Sequence, residues 1–115
     1  MESARGNASP ATAYVAVLIT AGSEEEAGRI AGQLVSARLA ACVNILGPVR
    51  SVYEWEGEIH RDEETLLIAK SRRDRFETIV DLVSGIHSYE VPEILALPVE
   101  GASERYLAWM RDVLS

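Results

Sequence analysis

Cysteine is all but missing from this chain: Cys42 is the only one in 115 residues. A lone thiol excludes an intrachain disulfide framework and suits a reducing, cytoplasmic setting. Positive charge is scarce too, with 11 Lys and Arg against 18 Asp and Glu and a formal net charge of −7. That balance argues against a nucleic acid partner, whose phosphates call for Lys/Arg-rich surfaces, and is compatible with cations. Nothing approaches the roughly 20 apolar residues of a membrane span, and the N-terminus lacks the apolar segment of a signal peptide. No membrane partner is therefore expected. The chain has no G-x-S-x-G elbow, no P-loop and no G-x-G-x-x-G stretch. Cys42 and His87 could form a thiolate–imidazole pair, but a mid-strand cysteine is rarely exposed enough to react. No enzyme is expected.

What the chain does have is an ordinary globular mixture, 48% apolar and 25% charged, at a length that suits one core. Residues 1–12 (MESARGNASPAT) carry no periodicity and read as a disordered tail, leaving a single domain over 13–115. The run YVAVLIT, Tyr14–Thr20, predicts a strand buried on both faces. Ser23 and Glu26 have the spacing of a capping box, and Ala27, Ile30, Ala31, Leu34 and Val35 form one helical stripe behind it. A second strand begins near Ala41, bends or bulges at Gly47-Pro48 and resumes to Glu56. After a turn at Gly57, a third strand runs from about Ile59 to Ser71. A second helix from about Arg73 carries Phe76, Ile79, Val80 and Val83, with Gly85 as its expected stop. The loop HSYEVP leads to a fourth strand, Ile94–Val99, whose Pro98 marks a sheet edge. Ser103 is a candidate N-cap for a last helix bearing Leu107, Met110 and Leu114.

The order βαββαβ plus a terminal helix predicts an α+β, ferredoxin-like sandwich with one antiparallel sheet in the order 4-1-3-2 and both main helices on one face. Strands of about 13 residues make a hairpin about 43 Å long, whereas a compact domain of about 100 residues is roughly 33 Å across. The hairpin Ala41–Ser71 must coil or project, and its outer part carries Val52, Tyr53 and Trp55, poor choices for a solvated edge. Another copy of the chain is the simplest cover, so self-association through Tyr53 and Trp55 is expected.

Four ordered blocks carry a resemblance: ARLAACVNI (37–45), SVYEWEGEI (51–59), LLIAKS (66–71) and HSYEVPEILALPV (87–99). In these the chain resembles the CutA divalent-cation-tolerance family from Tyr14 onward. The resemblance implies a cytoplasmic homotrimer of ferredoxin-like subunits, similar in architecture to the PII signalling proteins, linked to copper and other divalent metals and not known as an enzyme. Several bacterial relatives have further cysteines where this chain has Ile19 and Leu82, so a multi-thiolate mechanism is in doubt here.

The candidate metal ligands are His87 with Glu90 and Glu93, a borderline imidazole–carboxylate set for copper or another divalent ion, and Cys42, a soft ligand for Cu(I) or Zn(II). Set against these is a structural reading, with Cys42 a buried strand residue and the HSYEVPE loop a shaped turn. The acidic run around the hairpin turn reads either as a loose cation collector or as a solvated face. Lys70, Arg72, Arg73 and Arg75 form the only basic cluster, either an anion pocket or partners for a neighbour's acidic hairpin. Kinship to PII offers an alternative function, a regulatory or scaffold trimer that takes a small anionic effector or a partner protein between subunits. Lys70 and Tyr89 are then the residues of the cleft. The tight turn at Gly57 counts against it, because PII signals through a long loop there.

Overall fold

Seven regular elements follow one another in the computed structural model, which describes residues 10–115. They are β1 (Tyr14–Ala21), α1 (Glu24–Ser36), β2 (Cys42–Trp55), β3 (Glu58–Arg72), α2 (Phe76–Ile86), β4 (Ile94–Pro98) and α3 (Glu104–Leu114). The sheet order is β2-β3-β1-β4, with every pairing antiparallel, as the element order predicts for a ferredoxin-like fold. β1 is central, between β3 and β4, and Pro98 sits on the edge strand, opposite Val15.

The period of two along β1 and β3 sorts the core from the open face of the sheet. Val15, Val17 and Ile19 of β1, with Leu67 and Ala69 of β3, point to the helix layer and are buried there with Ile30 and Leu34 of α1 and Ile79 and Val83 of α2. Val35, expected on the buried stripe, lies at its margin and is 43% exposed. Ser23 caps α1 by accepting from the Glu26 N–H at 3.1 Å. Gly85 does not stop α2. The helix continues through it to Ile86, and His87 leaves in an extended conformation. The residues just before it, Arg73–Arg75, form a short 3₁₀ turn rather than α-helix. The expected tail ends early as well: Pro10–Ala13 form a 3₁₀ turn, and Ala11 is buried. The rest of that expected tail, residues 1–9, lies outside the described residues.

α3 covers one end of the open face. Leu107, Met110 and Leu114 pack with Tyr14, Ala41 and Ala11 in a second, smaller cluster, and Ser103 caps the helix by accepting from the Tyr106 N–H at 3.3 Å. The basic cluster serves this packing. Arg75 donates to the carbonyls of Leu114 and of Arg38, the latter at 2.6 Å, and Arg38 donates to the Val113 carbonyl at 3.0 Å. Arg72 pairs with Asp74 at 2.9 Å. Arg72 and Arg75 thus neither line an anion pocket nor await a neighbour's hairpin: they hold helix-end carbonyls and a local carboxylate, interactions favoured where a helix leaves its last C=O groups unpaired.

The hairpin projects. Beyond the pair Ala21–Thr65 the sheet is reduced to β2 and β3, so residues 49–64 form a two-stranded arm. The molecule measures 54 × 27 × 23 Å with a radius of gyration of 15.7 Å, against about 13 Å for a compact chain of this size. A register shift between Leu46 and Val49 is the bulge expected at Gly47-Pro48, whose peptide bond is cis. A Cβ on Gly47 would come within 3.3 Å of the Thr65 hydroxyl, which explains a glycine at the bulge. At the tip, Trp55 pairs with Glu58 across a two-residue turn in which Glu56 (φ 52°) and Gly57 (φ 85°) are both left-handed. That matches the twist of the strands.

Candidate functional site

The loop between α2 and β4 is fastened to the body by a buried polar chain. Glu26, 5% exposed, accepts from the Ser88 N–H at 2.7 Å, the Ser88 hydroxyl at 3.0 Å and the Gly22 N–H at 3.1 Å. Burial alone would raise its pKa. The hydrogen bonds from Ser88 and Gly22 and the nearby His87 outweigh that, so the carboxyl lies below its ordinary range. In the expected capping box the carboxylate bonds the Ser23 N–H; here it serves Gly22 and a loop far along the chain instead. Next in the chain, His87 is fully enclosed: Nε2 donates to the Thr20 carbonyl at 2.7 Å, and Nδ1 accepts from the Tyr89 N–H at 3.0 Å. The Tyr89 ring packs on His87 with centroids 4.6 Å apart, and its hydroxyl donates to Glu64 Oε2 at 2.7 Å. Burial first, then the Glu64 bond and the charges of Glu64 and Glu26, pushes the Tyr89 phenol well above its ordinary value.

This arrangement corrects the expected imidazole–carboxylate site. Both ring nitrogens of His87 are used internally, and a ligating imidazole must present a free lone pair. Glu90 and Glu93 remain exposed, and among the described residues no group of three His, Cys, Asp or Glu side chains is placed to hold a metal ion. Within one protomer the donors do not fit a coordinated metal.

What the loop and the arm do build is a groove. It has a volume of about 670 Å³ and lies on the open face where the arm leaves the body, lined by Thr20, Tyr53, Trp55, Asp62, Glu64, Tyr89, Glu90 and Glu93, with Ser51, Val52 and Val91. The pairing register explains the gathering: Ser51 faces Asp62, Tyr53 faces His60 and Trp55 faces Glu58, all on the side that continues the open face. Tyr53 stacks on His60 at 5.4 Å and donates its hydroxyl to Asp62, a bond that raises its pKa. Tyr53 and Trp55, expected to need cover, are 42% and 40% exposed. On the acidic hairpin, Glu54, Glu56, Glu58, Asp62 and Glu63 are exposed, as a solvated face requires, and Glu64 is the buried exception at 9% exposure.

Cys42 and Lys70 lie elsewhere. They pair across β2 and β3 at the α3 end of the open face. Cys42 is half-buried beside the Tyr106 hydroxyl, whose pKa is raised by burial and by this neighbour. Lys70 donates to Asn44. Lys70 lies six positions along β3 from Glu64, the partner of Tyr89, about 20 Å of strand. No cleft in the protomer therefore joins Lys70 to Tyr89, nor Cys42 to His87. Sequence does not single out Thr20; it shows Asp62 and Glu64 only as members of the acidic run around the hairpin turn, and Glu26 only in its capping position.

Residues 15–113 match the model of the CutA1 divalent ion tolerance protein family. The chain belongs to that family. A divalent-cation tolerance protein CutA of Thermus thermophilus is 47% identical over 96 residues, covering 84% of this chain and 93% of that protein. A chloroplastic protein CutA of Arabidopsis thaliana is 42% identical over 98 residues, covering 85% of this chain but only 54% of that longer protein. The chain thus spans about half the length of the plant relative. The solved structure of CutA1 from Oryza sativa superposes with a TM-score of 0.88 at 38% identity, covering 93% of this chain and 98% of the other. No helix among the described residues is long and apolar enough to cross a membrane.

Proposed function

We propose that this CutA-family protein works as a cytoplasmic homotrimer in tolerance of copper and other divalent metal ions, without catalysing a reaction. The observation that carries the assembly is the open face of the sheet. Leu46, Leu95 and Leu97 lie on it at 44–46% exposure, and the arm extends it with Tyr53 and Trp55. A contiguous apolar face of this kind calls for a protein partner, and closed symmetry lets each copy cover the next. The metal role rests on the family, and the protomer sets a condition on it: with His87 internally bonded, an ion coordinated by several side chains draws ligands from more than one subunit. Location in the cytoplasm rests on the single thiol.

Native mass spectrometry of protein purified without chelator tests all of this together. The expected species is three times the 12.6 kDa subunit, retaining divalent metal that is lost on dissociation. A metal-free monomer at micromolar concentration would overturn the reading. An anionic effector between subunits is disfavoured, because every titratable side chain lining the groove except its tyrosines is a carboxylate.

A further inference from the structure

We propose that His87 is a proton-operated latch on the loop between α2 and β4: when its ring takes a second proton, Nδ1 exchanges the Tyr89 N–H for Glu26 and the loop is loosened from the body. The observation behind it is the position of one nitrogen. His87 Nδ1 lies 3.0 Å from the Tyr89 backbone nitrogen, whose N–H can only donate, and 3.6 Å from Glu26 Oε2, which when ionised can only accept. It serves the first while it holds a lone pair and the second once it holds a proton. It cannot serve both. The other ring nitrogen has no such choice, because the Thr20 carbonyl at 2.7 Å keeps a proton on Nε2 in either state.

The ionisable groups about the ring come from three elements. Glu26 belongs to α1, Tyr89 to the loop itself, and Glu64 of β3 stands behind the Tyr89 hydroxyl. β1 presents the Thr20 carbonyl, and neither the last turn of α2, residues 83–86, nor β4 has an ionisable side chain. Enclosure opposes a charge on the imidazole. Against it stand the Glu26 carboxylate, which stays ionised in mild acid because its pKa lies below the ordinary value, and the carbonyl end of α2, which closes at this residue and favours a cation. Histidine is the side chain suited to change charge near neutral pH, and here that change is tied to a backbone hydrogen bond. Every group of the latch belongs to one protomer, with His87 and Glu26 side chains 0% and 6% exposed, so it does not depend on what covers the open face. Tyr89 packs on His87 and holds Glu64 through its hydroxyl. Acid therefore slackens the join between the body and the base of the arm.

Neither the metal role nor the oligomeric state enters into the latch. The test is nuclear magnetic resonance of the intact protein, with isotope-labelled histidine and backbone nitrogens, from about pH 8 to about pH 5. His60 and His87 are the only histidines, and a His60→Gln variant tells their signals apart. At the alkaline end His87 should show the tautomer protonated at Nε2. Its protonation should coincide with a shift of the Tyr89 amide signal. That amide should also lose about fivefold in exchange protection, corrected for the intrinsic rate, as the loss of one hydrogen bond gives. In Glu26→Gln the imidazole midpoint should fall by about one pH unit, because the charge that favours the proton is gone. His87→Asn places a side-chain oxygen where Nδ1 stood and takes no proton, so its Tyr89 amide should show no transition. This second variant carries the test if Glu26→Gln does not fold. An imidazole that stays neutral to the acid limit, or a Tyr89 amide indifferent to its protonation, would overturn the proposal. So would an unmoved midpoint in folded Glu26→Gln, or the parent's amide transition persisting in His87→Asn.

Discussion

β3 passes through two environments without changing its character as a strand. From Thr65 to Arg72 it is flanked by β1 and β2 and backed by both helices, and there Leu67 and Ala69 have no exposed surface. From Glu58 to Glu64 it has one neighbour and no helix behind it, and Ile59 is 64% exposed, facing Glu54. The body half obeys the usual rule that one face is buried and sets the register. The arm half carries Val52, Tyr53, Trp55 and Ile59 with nothing in its own chain to cover them. The difference teaches that apolar residues in a strand specify that something will cover them, while the topology decides whether the cover comes from the same chain.

Breaking the contrast on the body side should have the largest effect. Leu67→Ala removes a fully buried side chain and should lower subunit stability by about 3 kcal/mol in urea unfolding. Next comes the polar fastening of the loop. Glu26→Gln leaves a neutral amide where two backbone N–H groups meet a carboxylate, at a cost of about 2 kcal/mol near neutral pH. The sign of the pH dependence follows from the lowered carboxyl pKa of the folded state. Its contribution is fully present above the unfolded value near 4.5 and disappears as pH falls through the folded value. The parent should therefore lose stability more steeply than the variant in acid, where the two curves converge. Parallel curves would show that Glu26 is not the group responsible.

On the arm the effects should move from folding to association. Trp55→Ala should weaken the oligomer by about 2 kcal/mol in sedimentation equilibrium while leaving the subunit's circular dichroism unchanged. Loss of the fold instead would erase the distinction between the two regions. Gly57→Ala, at φ 85°, should cost about 1 kcal/mol, read as a small drop in the concentration-dependent melting temperature.

Much of the fold was legible because its signals are local. The Tyr14–Thr20 run, the Ser23 and Ser103 caps, the bulge at Gly47-Pro48 and the edge position of Pro98 each depend on residues a few places apart. Arm projection followed from arithmetic on strand length. The candidate site was less legible because its bonds are distant in sequence: Glu26 reaches Ser88, His87 reaches Thr20, and Tyr89 reaches Glu64. His87 was correctly noticed and wrongly employed. An imidazole beside two carboxylates reads as a metal site when its nearest buried carbonyl is invisible. Gly85 failed for the opposite reason. Glycine is a good helix stop only where the chain needs a left-handed residue, and α2 leaves through an extended histidine.

The bulge in β2 gives the strand slack. Two residues, Gly47 and Pro48, stand between Leu46 and Val49 where β3 supplies only Thr65, and the open face resumes on the far side with even positions exchanged for odd. Because one of the two is surplus to the pairing, a deletion there would straighten the strand and leave every aromatic and acidic side chain of the groove on its present face. A deletion at Ser51 would draw the same spare residue into the ladder, reversing only the few positions between the gap and the bulge. An insertion finds no such reserve. Lineages carrying this sheet can therefore shorten the second strand by one residue and keep the lining of the groove, whereas lengthening it requires a second bulge.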